Sequence, residues 1–231
     1  LNGSFFNSEL ALTNRSTSEA SIAYEYTSAF GGATGSAVDN LPAGTQRIIP
    51  DAIEYLRTLG IPTGSSGGRG GTLRVAFSGP GAATVRTTTT VPDGRAGLAY
   101  AGVPPSRLQP GPAYVCGLRQ NATDRSNTAV VNVGSASSGP ITLRLTVISG
   151  DPANPRTQVL PDIVLHPGGF SQISGILGSN GLSLTNGYVK VERVAGTAPF
   201  AAYGVINDQA TSDGSFVGAV QANPDSPITR M

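Results

Sequence analysis

Pro140-Ile-Thr-Leu-Arg-Leu-Thr-Val147 is the stretch on which the fold is decided. Ile141, Leu143, Leu145 and Val147 alternate with Thr142, Arg144 and Thr146, so an extended chain puts every apolar side chain on one face and every polar one on the other. The pattern predicts a strand half-buried against a second layer. Asn127-Thr-Ala-Val-Val-Asn132 and the polar turn Val133-Gly-Ser-Ala-Ser-Ser-Gly139 lead into it. The same order stands near the other end of the chain: Glu9-Leu-Ala-Leu-Thr-Asn14, Arg15-Ser-Thr-Ser-Glu19, then Ala20-Ser-Ile-Ala-Tyr-Glu-Tyr-Thr27.

Three further blocks recur in register with this one, at an offset of about 120 residues, which marks tandem units. Leu41-Pro-Ala-Gly-Thr-Gln-Arg-Ile-Ile49 answers Leu165-His-Pro-Gly-Gly-Phe-Ser-Gln-Ile173, each a Pro/Gly turn feeding a short strand. Gly71-Thr-Leu-Arg-Val-Ala-Phe77 answers Gly187-Tyr-Val-Lys-Val-Glu-Arg-Val194, and Ala83–Thr90 answers Phe200–Asn207. After Ile49 the first copy reads as a short helix. Asp51 caps it, Glu54 answers as the capping-box acid, Ile53, Leu56 and Leu59 recur at helical spacing, and Gly60 with Pro62 ends it. The second copy has only Ser174-Gly-Ile-Leu-Gly178, enough for one turn.

The resulting expectation is an all-β chain of two tandem immunoglobulin-like sandwich modules, about six to seven strands each, with one short helix in the first. The boundaries read as a first module over 1–102, a Pro/Gly-rich linker over 103–112, a second module over 113–220 and a tail over 221–231. At 231 residues the chain is long enough for each module to bury its own core. Charged residues make up 13%, about half the usual share, so Ser, Thr, Asn and Gly must cover the surface. The balance of 15 basic and 14 acidic residues lacks the clustered cations that nucleic acid or an anionic membrane requires. No apolar run is long enough for a membrane-spanning helix. Low charge, abundant hydroxyls, a single cysteine and a single lysine, Lys190, point to an exported, extracytoplasmic protein of a bacterium.

Asn2-Gly-Ser-Phe-Phe-Asn-Ser-Glu-Leu10, Asn186-Gly-Tyr-Val-Lys-Val-Glu-Arg-Val194, and Ala202-Tyr-Gly-Val-Ile-Asn-Asp-Gln209 running into Ser212-Asp-Gly-Ser-Phe216 carry a resemblance. They resemble a tandem β-sandwich repeat module of large secreted and surface proteins from environmental bacteria, acidobacteria-like lineages especially. The resemblance covers most of the chain and implies a fold rather than an activity; no catalytic residues come with it. In such proteins the segment often lies at the C-terminal end of a longer precursor, with which a start at Leu1 agrees.

Chemistry is thinly provided for. A Ser/His/Asp set would have to use His166, whose His-Pro-Gly context reads as a turn. One Cys and one His cannot complete a zinc site. Cys116, in Tyr114-Val115-Cys116, reads as a small buried apolar residue. Gly64-Ser-Ser-Gly-Gly-Arg-Gly-Gly71 lacks the Lys-Ser/Thr ending of a phosphate-binding loop and reads as a plain loop. The loop from Asn207 to Ser215 carries Asn207, Asp208 and Asp213, and Asp124 can approach it, so these four are the candidate ligands for a calcium ion; the competing reading makes them ordinary turn residues. Otherwise no cofactor is implied. Phe5, Phe6, Tyr24, Tyr26, Tyr55, Tyr100 and Tyr114 are the aromatics a glycan-binding face would draw on, without any Trp. The sequence therefore predicts a non-catalytic structural or adhesive module, a subunit of a larger envelope or surface assembly, whose partners are other proteins or copies of itself met through strand edges. Its alternative is an accessory module binding glycan or calcium. Asp51 and Glu54 are the acids an enzyme reading would use, and they form no recognisable pair.

Overall fold

The computed structural model describes residues 5–30, 33–64 and 70–221. The centre of the glycine-rich loop, the first residues of the Asn2–Leu10 motif and nearly all of the 221–231 tail lie outside the described residues. In the first module β1 (Asn7–Asn14), β2 (Ala20–Ser28), β3 (Thr34–Leu41), β4 (Gln46–Ile49), α1 (Ala52–Thr58), β5 (Gly71–Phe77), β6 (Gly81–Val91) and β7 (Gly94–Ala101) follow one another. They form two antiparallel sheets, β4-β1-β6-β7 and β3-β2-β5. The second module holds β8 (Ala113–Arg119), β9 (Asp124–Asn132), β10 (Ile141–Ser149), β11 (Thr157–Val159), β12 (Ile163–Leu165), β13 (Phe170–Ile173), β14 (Asn186–Ala195), β15 (Phe200–Asp208), β16 (Gly214–Gly218) and β17 (Val220–Gln221). The chain is an all-β sandwich protein, as its periodicity requires.

The repeat is visible in the topology. Sheet β13-β9-β15-β16 has the strand order of β4-β1-β6-β7, and β10 sits between β12 and β14 as β2 sits between β3 and β5. Registers agree residue by residue: Ala20 faces Leu41 as Ile141 faces Leu165, and Tyr24 faces Val75 as Leu145 faces Val191. This pairing moves Ala20–Thr27 by one residue against Pro140–Val147 relative to the quoted blocks. Ten short strands in the second module exceed the six or seven expected, for three reasons. β11 and β12 are one edge strand broken at Leu160-Pro161-Asp162, both lying along β10. β16 and β17 are one run that leaves the sheet of β15 and joins that of β8. β8 itself is an addition, paired to the outer side of β14.

Each module closes over its own core. Ile22, Tyr24 and Tyr26 of β2 point inward with Leu10, Leu12 and Leu56; Leu143, Leu145 and Val147 of β10 point inward with Val115, Val189, Val191 and Phe200. Full burial of each such aliphatic side chain is worth about 1.5–3 kcal/mol. The helix forms as its caps dictate. Asp51 accepts from the Glu54 amide at 2.9 Å, Gly60 takes the left-handed conformation past the last turn, and the Ile61 amide reaches back to Leu56 O. Glu54 departs from the capping-box expectation, because its carboxylate pairs with Arg57 at 2.9 Å, one turn on. In the second module Ser174–Gly178 makes a single turn whose Ile176 and Leu177 fill the core where α1 sits in the first.

Two equivalent asparagines tie each sandwich at a corner. Asn14 ends β1 and donates through Nδ2 to Leu41 O, Pro42 O and Ser18 O at 2.8–3.0 Å, while its Oδ1 accepts from the Ser16 amide. Asn132 ends β9 and donates to Leu165 O at 3.0 Å and Gly139 O at 3.3 Å, its Oδ1 accepting from the Gly134 amide. Both are buried. Each links the turn after its own strand to the turn after the neighbouring sheet's edge strand.

The linker is woven into the second module. Gln109 forms a bridge with Phe200, and Arg193 donates to Pro110 O. Where the modules meet, the Tyr100 ring of β7 stacks with Phe216 of β16 at 5.7 Å and with Tyr203 at 6.4 Å, and the Gly97 amide donates to Asp213. Arg74 of β5 donates to Val133 O.

Candidate functional site

Three of the four candidate cation ligands, Asp124, Asn207 and Asp208, stand together at one end of the second module, yet each of the four is engaged in hydrogen bonds within the protein. Asp124 and Asp208 are register partners at the end of the β9/β15 pair. Asp208 Oδ1 accepts from the Ala210 and Thr211 amides and the Thr211 hydroxyl, bonds that hold its carboxyl below the usual carboxylate range. Asp124 Oδ2 accepts from Asn121 Nδ2 and the Thr123 hydroxyl. Asn207 donates to Arg125 O, and Asp213 is turned toward the first module, onto the Gly97 amide. Among the described residues no three His, Cys, Asp or Glu side chains converge as a metal site would need.

The other sequence candidates are dispersed. His166 is exposed in its turn, with the Gly169 amide bonded to its carbonyl. Asp51 and Glu54 serve α1. Tyr24 and Tyr26 are core residues, and Tyr100 is half-buried at the junction. Cys116 is exposed, contrary to the buried position expected of a small apolar residue. Its strand phase is the cause: Ala113 and Val115 face inward, so alternation turns Cys116 outward. A bulge follows, where register between β8 and β14 shifts between Gly187 and Val189 and Gly117 adopts a positive φ of 73°, so that Gly117 is passed over and Leu118 returns to the core. Partial desolvation pushes the thiol's pKa up. Native protein should therefore react with a maleimide at one thiol without unfolding, slowly at neutral pH and faster as pH rises. A thiol silent until denaturation would contradict this placement. Cys116 and Gly117 also line a shallow groove of about 410 Å³ with Arg119, Asn186 and Tyr188, which contains no nucleophile–base pair.

One ionic cluster in the first module stands out. Asp39 of β3 accepts from both the Arg47 guanidinium of β4 and the Tyr55 hydroxyl of α1, and Arg47 also donates to Asn40 O at 2.7 Å. Desolvation opposes the Asp39 charge, but the bonds from Tyr55, the Asn40 amide and Arg47 outweigh it and hold the carboxyl below its ordinary value. Its geometry joins a strand, a strand of the facing sheet and the helix. That is a fastening.

The edges of the sheets are where the surface departs from an ordinary soluble domain. Val38 of β3 is 66% exposed, and Ile48 of β4, Val159 of β11, Val164 of β12 and Val220 of β17 are exposed above half. All five strands lie at sheet edges. Lys190, the chain's single lysine, stands on β14, an interior strand, so no lysine guards an edge. Sequence reasoning anticipated edges in general and missed which residues arm them; isolated valines in polar strands carry too weak a pattern to be singled out.

In comparisons with known proteins, no family model matches the chain and no curated protein matches it.

Proposed function

We propose that this chain is a non-catalytic structural or adhesive module of a bacterial extracytoplasmic assembly, which acts by holding its shape and offering strand edges to other protein subunits or to further copies of itself. The observation that carries this reading is the set of exposed valine and isoleucine side chains on the edge strands β3, β4, β11, β12 and β17, unprotected by lysine. Unpaired edge amides and carbonyls beside exposed β-branched side chains are a template for strand addition, and natural monomers ordinarily blunt such edges. The sparsely charged, hydroxyl-rich composition supports placement outside the cytoplasm. The test is native recovery of the protein from the envelope of its source cells, with mass spectrometry and electron microscopy. A stoichiometric complex or filament is the expected result. A protein recovered only alone, and monomeric at high concentration, would overturn the reading.

A further inference from the structure

One of the differences between the modules leaves a sheet edge open. In the second, β14 is flanked on its outer side by β8: Val189 faces Val115, Lys190 faces Tyr114 and Val191 faces Ala113. Val189 and Val191 are fully buried as a result. In the first, β5 is the counterpart of β14, with Leu73 and Val75 at the places of Val189 and Val191, and no described strand lies beyond it. Leu73, Val75 and Phe77 stay only partly buried against their core.

The backbone is equally uncovered. The Ser78 amide bonds Ser21 O and the Ala29 amide bonds Gly70 O, so in the antiparallel pair the bonding positions of β5 toward β2 are Thr72, Arg74 and Ala76. The N–H and C=O groups of Leu73, Val75 and Phe77 therefore point away from β2. Among the described residues none of them meets a backbone partner. The same alternation directs Val189 and Val191 toward β8, where those groups are paired.

We propose that the β5 edge of the first module is a strand-acceptor site, and that its occupant is an extended segment of a partner polypeptide with the chemistry of β8. This segment runs antiparallel to β5. It places small or β-branched apolar residues opposite Leu73 and Val75, as Val115 and Ala113 stand opposite Val189 and Val191, and a neutral or acidic residue opposite Arg74, whose half-exposed guanidinium is bonded to Glu25 and to Val133 O of the second module. Main-chain bonds supply the affinity, and the two alternate apolar positions supply the selection. The inference rests on the structural-module reading above and names the class of partner.

The probe is the chain's own strand, a peptide of residues Pro112–Gln120 carrying Cys116→Ser, added to the intact protein. Hydrogen exchange read residue by residue should slow at least tenfold at the amides of Leu73 and Val75, the two positions the peptide spans, at saturating peptide, with no such change along β3 or β4. The same peptide N-methylated at Ala113 and Val115 loses the donors that a paired edge requires and should leave exchange unaltered. Absence of protection at millimolar peptide, or equal protection by the methylated peptide, would overturn the proposal. Protection obtained only when the strand is joined to the N-terminal end of the chain, with free peptide inert, would overturn the partner and leave a strand in β8's own covalent position. A bound peptide with no complex in the envelope would leave the acceptor edge standing and remove the assembly reading, so the two fail separately.

Discussion

Asn132→Ala should lower the stability of the second module by about 3 kcal/mol, as buried backbone groups left unpaired cost roughly 1–3 kcal/mol each. Removing the side chain takes the buried bond from Leu165 O and the half-buried one from the Gly134 amide. For a module of this size the melting transition should fall by roughly 10–20 °C. Asn14→Ala should do the same to the first module, where Nδ2 serves three carbonyls. Asn132→Asp should be worse than Ala at neutral pH, because a carboxylate would then face the same carbonyl oxygens without a donor. Calorimetry of each variant is the check. A loss below 1 kcal/mol would mean the corner is held by the strands alone, and equal shifts of both modules would mean that they melt as one unit.

The second large effect is alkaline. Burial raises the pKa of Tyr24 and Tyr26 above the ordinary tyrosine value of 10.0, and each hydroxyl is buried without a hydrogen-bond partner among the described residues. Below that value both residues are neutral whether the chain is folded or not, and stability is unaffected. Above it the unfolded tyrosines release protons that the folded ones keep, so the unfolded state binds fewer protons and the free energy of unfolding falls as pH rises. Two tyrosines together should cost about 3 kcal/mol per pH unit over that window. Tyr55, Tyr100 and Tyr203 are shifted in the same direction, also by desolvation first, and add to the trend. The expected result is a protein stable from neutrality to pH 10 and unfolding steeply beyond, its first module leading. Thermal melts across this range, with tyrosinate absorbance as the second readout, check it. Tyr24→Phe and Tyr26→Phe should each move the alkaline midpoint upward at no loss of neutral stability, since each deletes an unpartnered hydroxyl. A midpoint that stays put in both variants would assign the alkaline transition to other groups.

What the sequence discloses here is what periodicity can encode. Ile141–Val147 and Ala20–Tyr26 alternate cleanly because each lies in a sheet with one face buried, and α1 announces itself through Asp51 and Gly60. The repeat blocks are legible because a common strand order imposes a common order of turns. Three things are not legible, each for a physical reason. Cys116 lies in an apolar stretch whose phase only its partner strands fix, so a thiol that alternation with Ala113 and Val115 turns outward reads as buried. The corner asparagines look like turn residues in sequence, since burial and carbonyl partners come only from strands far along the chain, although each closes the first block of its copy. The pairing of β8 and the broken edge of β11 and β12 are decided by neighbours in space, which a local pattern does not record. At the candidate cation site Asp124, Asn207 and Asp208 are near one another as the sequence suggests, but nothing in spacing foretells that Asp213 turns to the other module.

The run from β16 into β17 bears on mechanics. It pairs with β15 in one sheet as far as Gly218 and with β8 in the other from Val220, crossing between layers at Ala219, whose amide bonds Ala202 O. Tension entering from beyond Gln221 therefore meets the two layers in series rather than peeling one strand from one sheet. β17, two residues long, yields first; the load then passes to β16, whose ring at Phe216 is stacked on Tyr100 of the preceding module. In a tethered array such a hand-over makes the junction between modules, rather than either core, the part that gives way early and re-forms.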